Sequence, residues 1–365
     1  MNMSVRDVII IGAGPSGLSA AIAAKRRDLD YQVLEQGVLV NSIYRFPPQM
    51  VFFTTPELLE IGGLPFVSPF DKPTRAEALK YYRKVVDVHD LHIAYGEKVV
   101  SVERETDSAD RADGADKAGK AGQADQAGRE GESNGSDHVF AIETESANGV
   151  RRARHARQVV MAIGYYDHPV MIGVPGEELP HVRHYYGEPH PHYRQRVVIV
   201  GGGNSAAESA LEMFRAGAHV TIVHRAAALK STVKYWVRPD IENRIKAGSI
   251  GARFGTIVKE IRANSIVLAR CAPGRAGASD TDEELPADAV YLLTGYRADA
   301  ELLRHAGVLL NERDAPVHDP ETFETNVSGL FVAGGAIAGV DTGTIFIENG
   351  RFHGEKIIEV IARRG

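Results

Sequence analysis

The feature that most constrains this chain is a glycine-rich segment that occurs twice, about half a chain apart. Gly12–Gly17 has the pattern GxGxxG, and Gly201–Ala206 has the closely related pattern GxGxxA. Each segment follows a short β-branched run and precedes an Ala-rich stretch, which predicts a strand, a turn and a helix. A further apolar run then completes a βαβ unit in both places. The chain is therefore predicted to be an α/β protein with two such units.

The predicted elements have the same order in both units. The strand, helix and strand are expected at Val5–Ile11, Leu18–Lys25 and Tyr31–Leu34 in the first unit and at Arg196–Val200, Ser205–Arg215 and Val220–Val223 in the second. A crossover of this length joins parallel strands, so each unit implies a parallel sheet.

The first glycine motif is predicted to bind a dinucleotide. Gly12 permits the tight turn, Gly14 lets the backbone approach a pyrophosphate, and Gly17 lets the helix pack closely on the strand. Glu35 ends the following strand and can accept hydrogen bonds from the adenosine ribose. The residues expected to contact this nucleotide are Gly12, Gly14, Pro15, Ser16, Gly17, Glu35, Gln36 and Asn41.

The second motif is predicted to bind a different dinucleotide. Its second strand ends on His224 and Arg225 rather than on an acid. A carboxylate there would repel a ribose 2′-phosphate, whereas Arg225 can bind it, which favours NADPH over NADH. The alternative is that Arg225 is only a solvated charge. The residues expected at this site are Gly201, Gly203, Asn204, Ser205, His224 and Arg225.

Composition excludes several other functions. The 365 residues suggest two domains, and a single Cys forbids an intrachain disulfide or a CxxC redox couple. The net charge of −6 argues against nucleic acid as a partner. Apolar stretches are too short for a membrane span, and Val8–Ile11 is too short for a signal-peptide core. We expect a soluble cytoplasmic protein.

Two low-complexity segments are not expected to carry chemistry. Residues 106–138 are dominated by Ala, Asp, Gly, Lys and Gln, and separate two strand-like runs at Lys98–Val102 and Val139–Glu143. Such a composition cannot bury enough apolar surface to order itself, so we predict a disordered insertion at a hairpin tip. Pro273–Glu284 is interpreted as a shorter segment of the same kind.

Two nucleotide motifs on one chain resemble the two-motif flavoproteins of the thioredoxin reductase class. The resemblance implies FAD at the first motif, NADPH at the second, and two Rossmann-like domains. Val160–Gly164 and Leu292–Gly295 resemble the crossover strands of that class. An NADPH domain at residues 170–292 is therefore expected, inserted into a discontinuous FAD domain at residues 1–169 and 293–365.

A late segment, Gly329–Gly335, resembles the one that closes the flavin site in that class. Gly335 stands where an Asp usually contacts the ribitol, which is a departure from the class pattern. Gly334, Gly335 and a turn at Thr344 and Ile345 are expected to meet the ribitol and the flavin. That turn is predicted to open a helix.

Within the class, the chain is most similar to the bacillithiol disulfide reductase (bacilliredoxin reductase) family. The resemblance rests on phrases at residues 52–59, 164–167, 234–236, 239–245 and 345–352, and it extends over nearly the whole chain. It implies electron flow from NADPH through FAD to a low-molecular-weight disulfide or a small redox protein. It also implies a homodimer.

The chain departs from this family at the position of the family's thiol. The family carries a Cys inside the first glycine motif, where this chain has Ser16, and a hydroxyl cannot form a mixed disulfide. The one cysteine, Cys271, is expected at a strand end far along the chain from either motif and is interpreted as a packing or surface residue. No protein side chain is therefore predicted to be catalytic, because the flavin would carry the chemistry.

Two alternatives to disulfide reduction remain open. The chain could reduce ferredoxin or flavodoxin, docking an acidic carrier on the basic run at residues 151–157, although this run is more simply an exposed strand edge. It could also be a redox sensor that is reduced once without turnover. The histidines at positions 181, 184, 190 and 192 lack accompanying ligands at suitable spacing, so no metal site is expected.

Overall fold

The computed structural model describes residues 4–105, 138–271 and 282–364. The insertion predicted at 106–138 lies outside the described residues except for His138. Residues 272–281, which include most of the second low-complexity segment, also lie outside them. The last two residues of the segment predicted at Pro273–Glu284 belong to a strand, Glu283–Pro286, so the low-complexity segment ends earlier than expected.

Seventeen strands and eight α-helices are present in the described residues. The strands are β1 Val5–Ile11, β2 Tyr31–Glu35, β3 Ile93–Tyr95, β4 Glu97–Glu105, β5 Val139–Ser146, β6 Arg151–Met161, β7 His168–Pro169, β8 Val182–Arg183, β9 Arg196–Val200, β10 His219–His224, β11 Gly251–Phe254, β12 Thr256–Arg262, β13 Ser265–Arg270, β14 Glu283–Pro286, β15 Ala289–Leu292, β16 Tyr296–Arg297 and β17 Leu330–Val332. The helices are α1 Pro15–Lys25, α2 Asn41–Arg45, α3 Arg75–His89, α4 Asn204–Arg215, α5 Arg238–Lys246, α6 Ala300–His305, α7 Ile347–Gly350 and α8 His353–Arg364. The six elements predicted for the two βαβ units are confirmed, with ends that differ by at most three residues.

The first unit belongs to a sheet with the strand order β3-β2-β1-β6-β5-β4, to which β17 adds alongside β6. Strands β2, β1, β6 and β17 are parallel, so their carboxyl ends meet at one edge. Strands β4 and β5 pair antiparallel from Glu105 and Val139, which confirms the predicted strand pair on either side of the insertion. Ligands of open α/β sheets bind at such a carboxyl edge.

The second unit belongs to a parallel sheet with the strand order β11-β10-β9-β15-β8. An antiparallel sheet of β12, β13 and β14 accompanies it. The chain passes twice between the first and the second sheet, and β7 pairs with β16 at this double crossing. The two glycine motifs are thereby held on separate sheets joined by two adjacent connections.

The basic run at residues 151–157 is an edge only in its first half. Residues 151–154 pair with β5 alone, but from His155 onward β6 is also paired with β1, because β6 is a central strand. The edge interpretation is therefore wrong for the second half. The arginines form ion pairs as follows: Arg151 with Glu145, Arg152 and Arg154 with Glu97, and Arg157 with Asp7.

Helix α1 is packed between the first sheet and α8. Gly354 allows the close approach of the two helices, since a Cβ there would lie 2.4 Å from the backbone nitrogen of Ala20. Among the described residues, no helix is long and apolar enough to cross a membrane.

Candidate functional site

A cavity opens at the carboxyl edge of the first sheet, where the first glycine motif was predicted to bind its nucleotide. Its wall contains nine of the predicted residues, namely Gly12, Gly14, Pro15, Ser16, Glu35, Gln36, Asn41, Gly335 and Ile345. These nine residues come from the start and the end of the chain. We call this cavity the first pocket.

The glycines of the first motif have the geometry that their predicted roles require. Gly12 has φ +108°, and a Cβ there would lie 2.4 Å from the carbonyl oxygen of Ala162 at the end of β6. Gly14 has no atom within 4 Å of the place where its Cβ would stand. The backbone at Gly14 is therefore open to an approaching ligand, while Gly12 is required by the fold.

The start of α1 suits a phosphate group. The N-cap is Gly14, which gives the helix no side-chain cap, so the first N–H groups of the helix are not satisfied by a capping side chain. Such N–H groups and the positive end of the helix dipole attract an anion. The helix has 11 residues, long enough for a substantial dipole.

Glu35 is buried at the end of β2 and faces the first pocket. Its carboxylate accepts hydrogen bonds from the backbone N–H groups of Ala13 and Gly37, both at 2.8 Å. Burial raises the pKa of Glu35 above its ordinary value although both bonds act in the opposite direction. The two bonds fix the orientation of the carboxylate, and each oxygen keeps a lone pair for a ribose hydroxyl.

Three predicted residues do not reach the wall of the first pocket. Gly17 lies behind it, where a Cβ would stand 1.9 Å from the carbonyl oxygen of Gly12. Gly334 packs on the Ser16 side chain. Thr344 donates a hydrogen bond to the carbonyl of Asp341 and forms part of the turn. These three residues lie outside the wall, and the helix expected at the turn begins only at Ile347.

Asp167 lines the first pocket and was not predicted from the residues as a site residue. Its carboxylate accepts hydrogen bonds from Gln36 at 3.0 Å and Asn41 at 3.3 Å, and forms an ion pair with Arg45 at 2.7 Å. The side chains of Gln36 and Asn41 are therefore held by a residue more than 120 positions away. No local pattern could have revealed this pairing, although Asp167 belongs to a phrase that carries the family resemblance.

The hydroxyl of Ser16 donates a hydrogen bond to the carbonyl of Gly350 at 3.0 Å. The same oxygen lies beside Gly334, so the side chain is enclosed by the late segment and α7. Ser16 thus connects the first motif to the C-terminal part of the chain. Its backbone N–H remains at the start of α1 as a donor for the expected phosphate.

His353 stabilises the backbone of the late segment, Gly329–Gly335. Its Nδ1 accepts a hydrogen bond from the N–H of Gly334 at 3.1 Å, and its ring stacks on Phe323 with centroids 4.3 Å apart. Burial, together with the nearby His318 and Lys356, lowers the pKa of His353 to about 4. The imidazole is therefore neutral in the native protein at neutral pH.

This lowered pKa predicts an acid-labile fold. The unfolded chain binds the proton with a pKa near 6.5, so the contribution of His353 to stability is complete above pH 6.5 and is lost as the pH falls to about 4. We expect a loss of roughly 3 kcal/mol over that interval. His353→Asn keeps a hydrogen-bond acceptor for the N–H of Gly334 but has no imidazole to protonate. When the free energy of unfolding is measured in urea between pH 7 and 4, this variant should therefore lose less stability than the wild type. An equal acid loss in both proteins would contradict this assignment.

The second motif lies at the carboxyl edge of the second sheet. Gly201 has φ +152°, and a Cβ there would lie 2.4 Å from the carbonyl oxygen of Leu293, just as Gly12 meets Ala162. Gly203 is open, with one atom of Lys230 at 3.9 Å as the nearest neighbour. Helix α4 begins at Asn204 with no side-chain cap. The two motifs therefore have equivalent geometry.

A second cavity of about 530 Å³ lies between the two sheets, and we call it the cleft. Of the residues predicted for the second nucleotide, Asn204 and Ser205 line it. Gly201, Gly203, His224 and Arg225 lie outside its wall. The Asn204 side chain is engaged with its own half of the chain, donating to the carbonyl of Thr232 and accepting from the N–H of Lys234.

His224 is buried and packs against the second motif, and its predicted contact with the nucleotide stays a prediction. It is 8% exposed, and its ring occupies the space that a side chain at position 202 would need, 2.4 Å from the place of that Cβ. Burial lowers its pKa, and the neighbouring Lys230 and Arg225 lower it further. Arg225 itself is exposed and has no ion-pair partner among the described residues.

Sequence reasoning did not identify the aromatic side chains of the cleft as site residues. Trp236 lies under the ammonium groups of Lys72 at 3.9 Å and Lys234 at 5.6 Å, measured to the ring centroid. Phe53 meets Phe346 edge to face, with centroids 5.4 Å apart. The Lys72–Trp236 contact joins the part of the chain that forms the first sheet to the part that forms the second.

Cys271 follows β13 and is half-buried, as the sequence predicted for a strand end. It lines neither cavity. Two of the four histidines considered as metal ligands are engaged by other groups: His192 contacts Gln195 and Tyr291, and His184 lies 3.8 Å from Glu177. In the part of the chain that the structure describes, no group of three His, Cys, Asp or Glu side chains is arranged to hold a metal.

The residues at both motifs fit dinucleotides. In each case an uncapped helix of at least 11 residues points at an open glycine, and in the first pocket an oriented carboxylate stands at the neighbouring strand end. A Cβ at Gly14 would project into empty space rather than into protein, which is the arrangement that a closely approaching pyrophosphate needs.

Comparison with known proteins defines the class. The chain belongs to the pyridine nucleotide-disulphide oxidoreductase family, whose model matches residues 9–110 and 133–334. It is an oxidoreductase that uses FAD and NAD(P)H. The predicted thioredoxin reductase-like fold class is confirmed.

Individual relatives indicate a more specific group within this family. The chain is 37% identical over 363 residues to bacilliredoxin reductase Bdr of Bacillus subtilis, covering 99% of both chains. It matches the solved bacillithiol disulfide reductase Bdr (YpdA) of Bacillus cereus with a TM-score of 0.85 and 35% identity, covering 99% of this chain and 100% of that one. A ferredoxin–NADP reductase of Ignicoccus hospitalis is 24% identical over 90% of each chain. The resemblance to the bacillithiol disulfide reductase family is confirmed.

Proposed function

We propose that this protein uses NADPH to reduce a low-molecular-weight disulfide of the bacillithiol disulfide type. The observation that carries the proposal is that the first pocket and the cleft share part of their walls. Five residues line both cavities, namely Phe46, Tyr165, Tyr166, Phe346 and Ile347. A nucleotide bound at each motif would therefore meet the other at this shared wall.

The chain's own residues divide the binding task. The start of α1 and Glu35 would hold the diphosphate and the ribose of FAD, while the start of α4 would hold the diphosphate of the nicotinamide nucleotide. Arg225 directly follows β10 and is exposed, so its guanidinium would be available to a 2′-phosphate, which supports NADPH rather than NADH. Bound FAD would supply two-electron transfer between a nicotinamide nucleotide and an acceptor. Aromatic side chains of the shared wall exclude water from the junction.

Two regions support the proposed division into domains. The first sheet uses residues 5–161 and 330–332, and the second uses residues 182–292. We therefore propose an FAD domain at residues 1–169 and 293–365 and an NADPH domain at residues 170–292. The homodimer and the cytoplasmic location stay predictions.

The decisive experiment follows the electrons. The purified protein should be yellow, should bleach when NADPH is added without oxygen, and should regain its colour when bacillithiol disulfide is added, with two thiols formed per NADPH. A colourless protein, or flavin that NADPH leaves oxidised, contradicts the proposal. Flavin that stays reduced with every acceptor offered would identify the sensor alternative instead.

Ferredoxin or flavodoxin reduction remains a secondary candidate, favoured by the relative from Ignicoccus hospitalis. The basic run supports it poorly, because its four arginines each face a carboxylate and leave little net positive charge for docking. If the same reduced protein is reoxidised fastest by a one-electron carrier, in a reaction that slows with salt, this candidate replaces the disulfide.

Ser16→Cys should increase disulfide turnover about tenfold. A thiol at the second residue of α1 would have a lowered pKa, because the helix N-terminus stabilises the thiolate. It could then form a mixed disulfide, which a hydroxyl cannot. The measurement is NADPH consumption with bacillithiol disulfide. Ser19→Cys places a thiol on the same helix outside both cavity walls and should change nothing; an equal gain there would contradict the interpretation.

A further inference from the structure

Tyr165 and Gly335 fit together in a way that the function proposed above does not require. The Cδ1 and Cε1 atoms of Tyr165 lie 2.6 and 3.0 Å from the place where a Cβ on residue 335 would stand. Real Cβ atoms do not approach other atoms so closely, so the ring occupies space that only glycine leaves free. The backbone of Gly335 is not in the left-handed region, unlike that of Gly334. Packing, not backbone conformation, therefore accounts for a glycine at this position.

Tyr165 stands at the boundary between the two cavities. It lines both the first pocket and the cleft, and it directly follows Gly164, whose φ of +65° turns the chain at the end of the β6 crossing. No hydrogen bond reaches its hydroxyl from the described residues, and the nearby Glu348 acts on it through charge. Burial, aided by Glu348 and Tyr166, raises the pKa of this phenol, so the side chain is an uncharged ring.

We propose that Tyr165 covers one side of the flavin end of the first pocket where that pocket meets the cleft, and that residue 335 is glycine because the Tyr165 ring is seated on it. The proposal rests on FAD occupying the first pocket. At position 335 the thioredoxin reductase class usually has an Asp that contacts the ribitol. Here an aromatic wall takes the place of that polar contact, so the flavin end is bounded by an apolar face that excludes water.

A double-mutant cycle tests the seating. Release of FAD from the diluted holoprotein is followed by the rise in flavin fluorescence. Tyr165→Ala should release FAD about tenfold faster, because the wall is lost. Gly335→Ala should do so at least as strongly, because the new methyl group displaces the ring. In the double variant, Ala at position 335 should add little to the effect of Tyr165→Ala, since nothing remains for it to displace.

Three results would overturn the proposal. One is that Tyr165→Ala retains FAD as the wild type does. Another is that Gly335→Ala accelerates FAD release as much with Ala at position 165 as with Tyr, which would mean that the new methyl group clashes with a residue other than Tyr165. The third is that Gly187→Ala, a matched change at an open glycine, accelerates FAD release to the same extent. Should Gly335→Ala fail to fold, Tyr165→Ala and Tyr165→Phe still decide the question, with Phe expected to behave like Tyr.

A second measurement tests the covering role itself. Iodide quenches the fluorescence of bound flavin only where solvent reaches it. The flavin fluorescence of Tyr165→Ala should therefore fall several-fold more steeply with iodide concentration than that of the wild type, and that of Tyr165→Phe should not. Equal quenching in all three would contradict a covering role. These outcomes differ from a failure of the proposed function, in which the wild-type protein would carry no flavin at all.

Discussion

Gly17→Ala should purify without flavin. The Cβ of the new residue would stand 1.9 Å from the carbonyl oxygen of Gly12 and 3.4 Å from the Cβ of Ala162. The first of these atoms is backbone, so α1 must move away from β1 to relieve the clash. That movement displaces the first N–H groups of the helix from the place where the diphosphate is expected. We expect a loss of about 3 kcal/mol in the free energy of unfolding, at the upper end of overpacking costs.

The measurement is the ratio of flavin to protein absorbance after purification, together with urea unfolding. Ala206→Gly is the matched control, because residue 206 is the third position of the second motif and already tolerates a methyl group there. It should leave the flavin content unchanged. A yellow Gly17→Ala protein of normal stability would contradict the role assigned to Gly17.

Arg225→Ala should reduce kcat/KM for NADPH about 10- to 100-fold and leave that for NADH nearly unchanged. A hydrogen bond to a charged group contributes about 1.5–3 kcal/mol, which corresponds to that range. Arg225 is exposed and unpaired among the described residues, so its guanidinium is available to a 2′-phosphate without breaking an ion pair. The ratio of the two kcat/KM values is the sensitive quantity, because general damage to the domain cancels in it.

Arg253→Ala provides the control on the neighbouring strand. Arg253 lies in β11 beside Val223 and is paired with Glu283, so its charge is already compensated. Its removal should leave the NADPH preference intact. If Arg225→Ala lowers activity equally with both nucleotides, the 2′-phosphate is bound elsewhere, and Lys230, which lies near Gly203, becomes the residue to test.

The regular parts of the fold were predictable because their causes are local. Strand β1 and helix α1 follow from a β-branched run, a glycine turn and an Ala-rich stretch that are contiguous in the chain. The predicted roles of Gly12 and Gly14 follow from the same few residues, and the geometry at both positions is compatible with those roles. The position of Glu35 at the end of β2 is equally local.

Two outcomes that the sequence did not reveal have a common cause. The ring of His224, the last residue of β10, packs on the second motif because that strand folds against the turn. The basic run was interpreted as an edge because its charges are consecutive, whereas β1 pairs with its second half from more than a hundred residues away. Both outcomes depend on which segments meet in space.

The sequence alone determined that this is a protein of two parallel α/β units with two nucleotide sites and no thiol at the flavin motif. Those properties need only the order of apolar, glycine and charged residues within some 30 positions. The tertiary structure alone decided that Asp167 holds Gln36 and Asn41, that Ser16 bonds to Gly350, and that the Tyr165 ring needs a glycine at 335. These contacts join residues more than 100 positions apart, and such pairs are selected by packing and excluded volume, which leave no periodic or compositional trace in the chain.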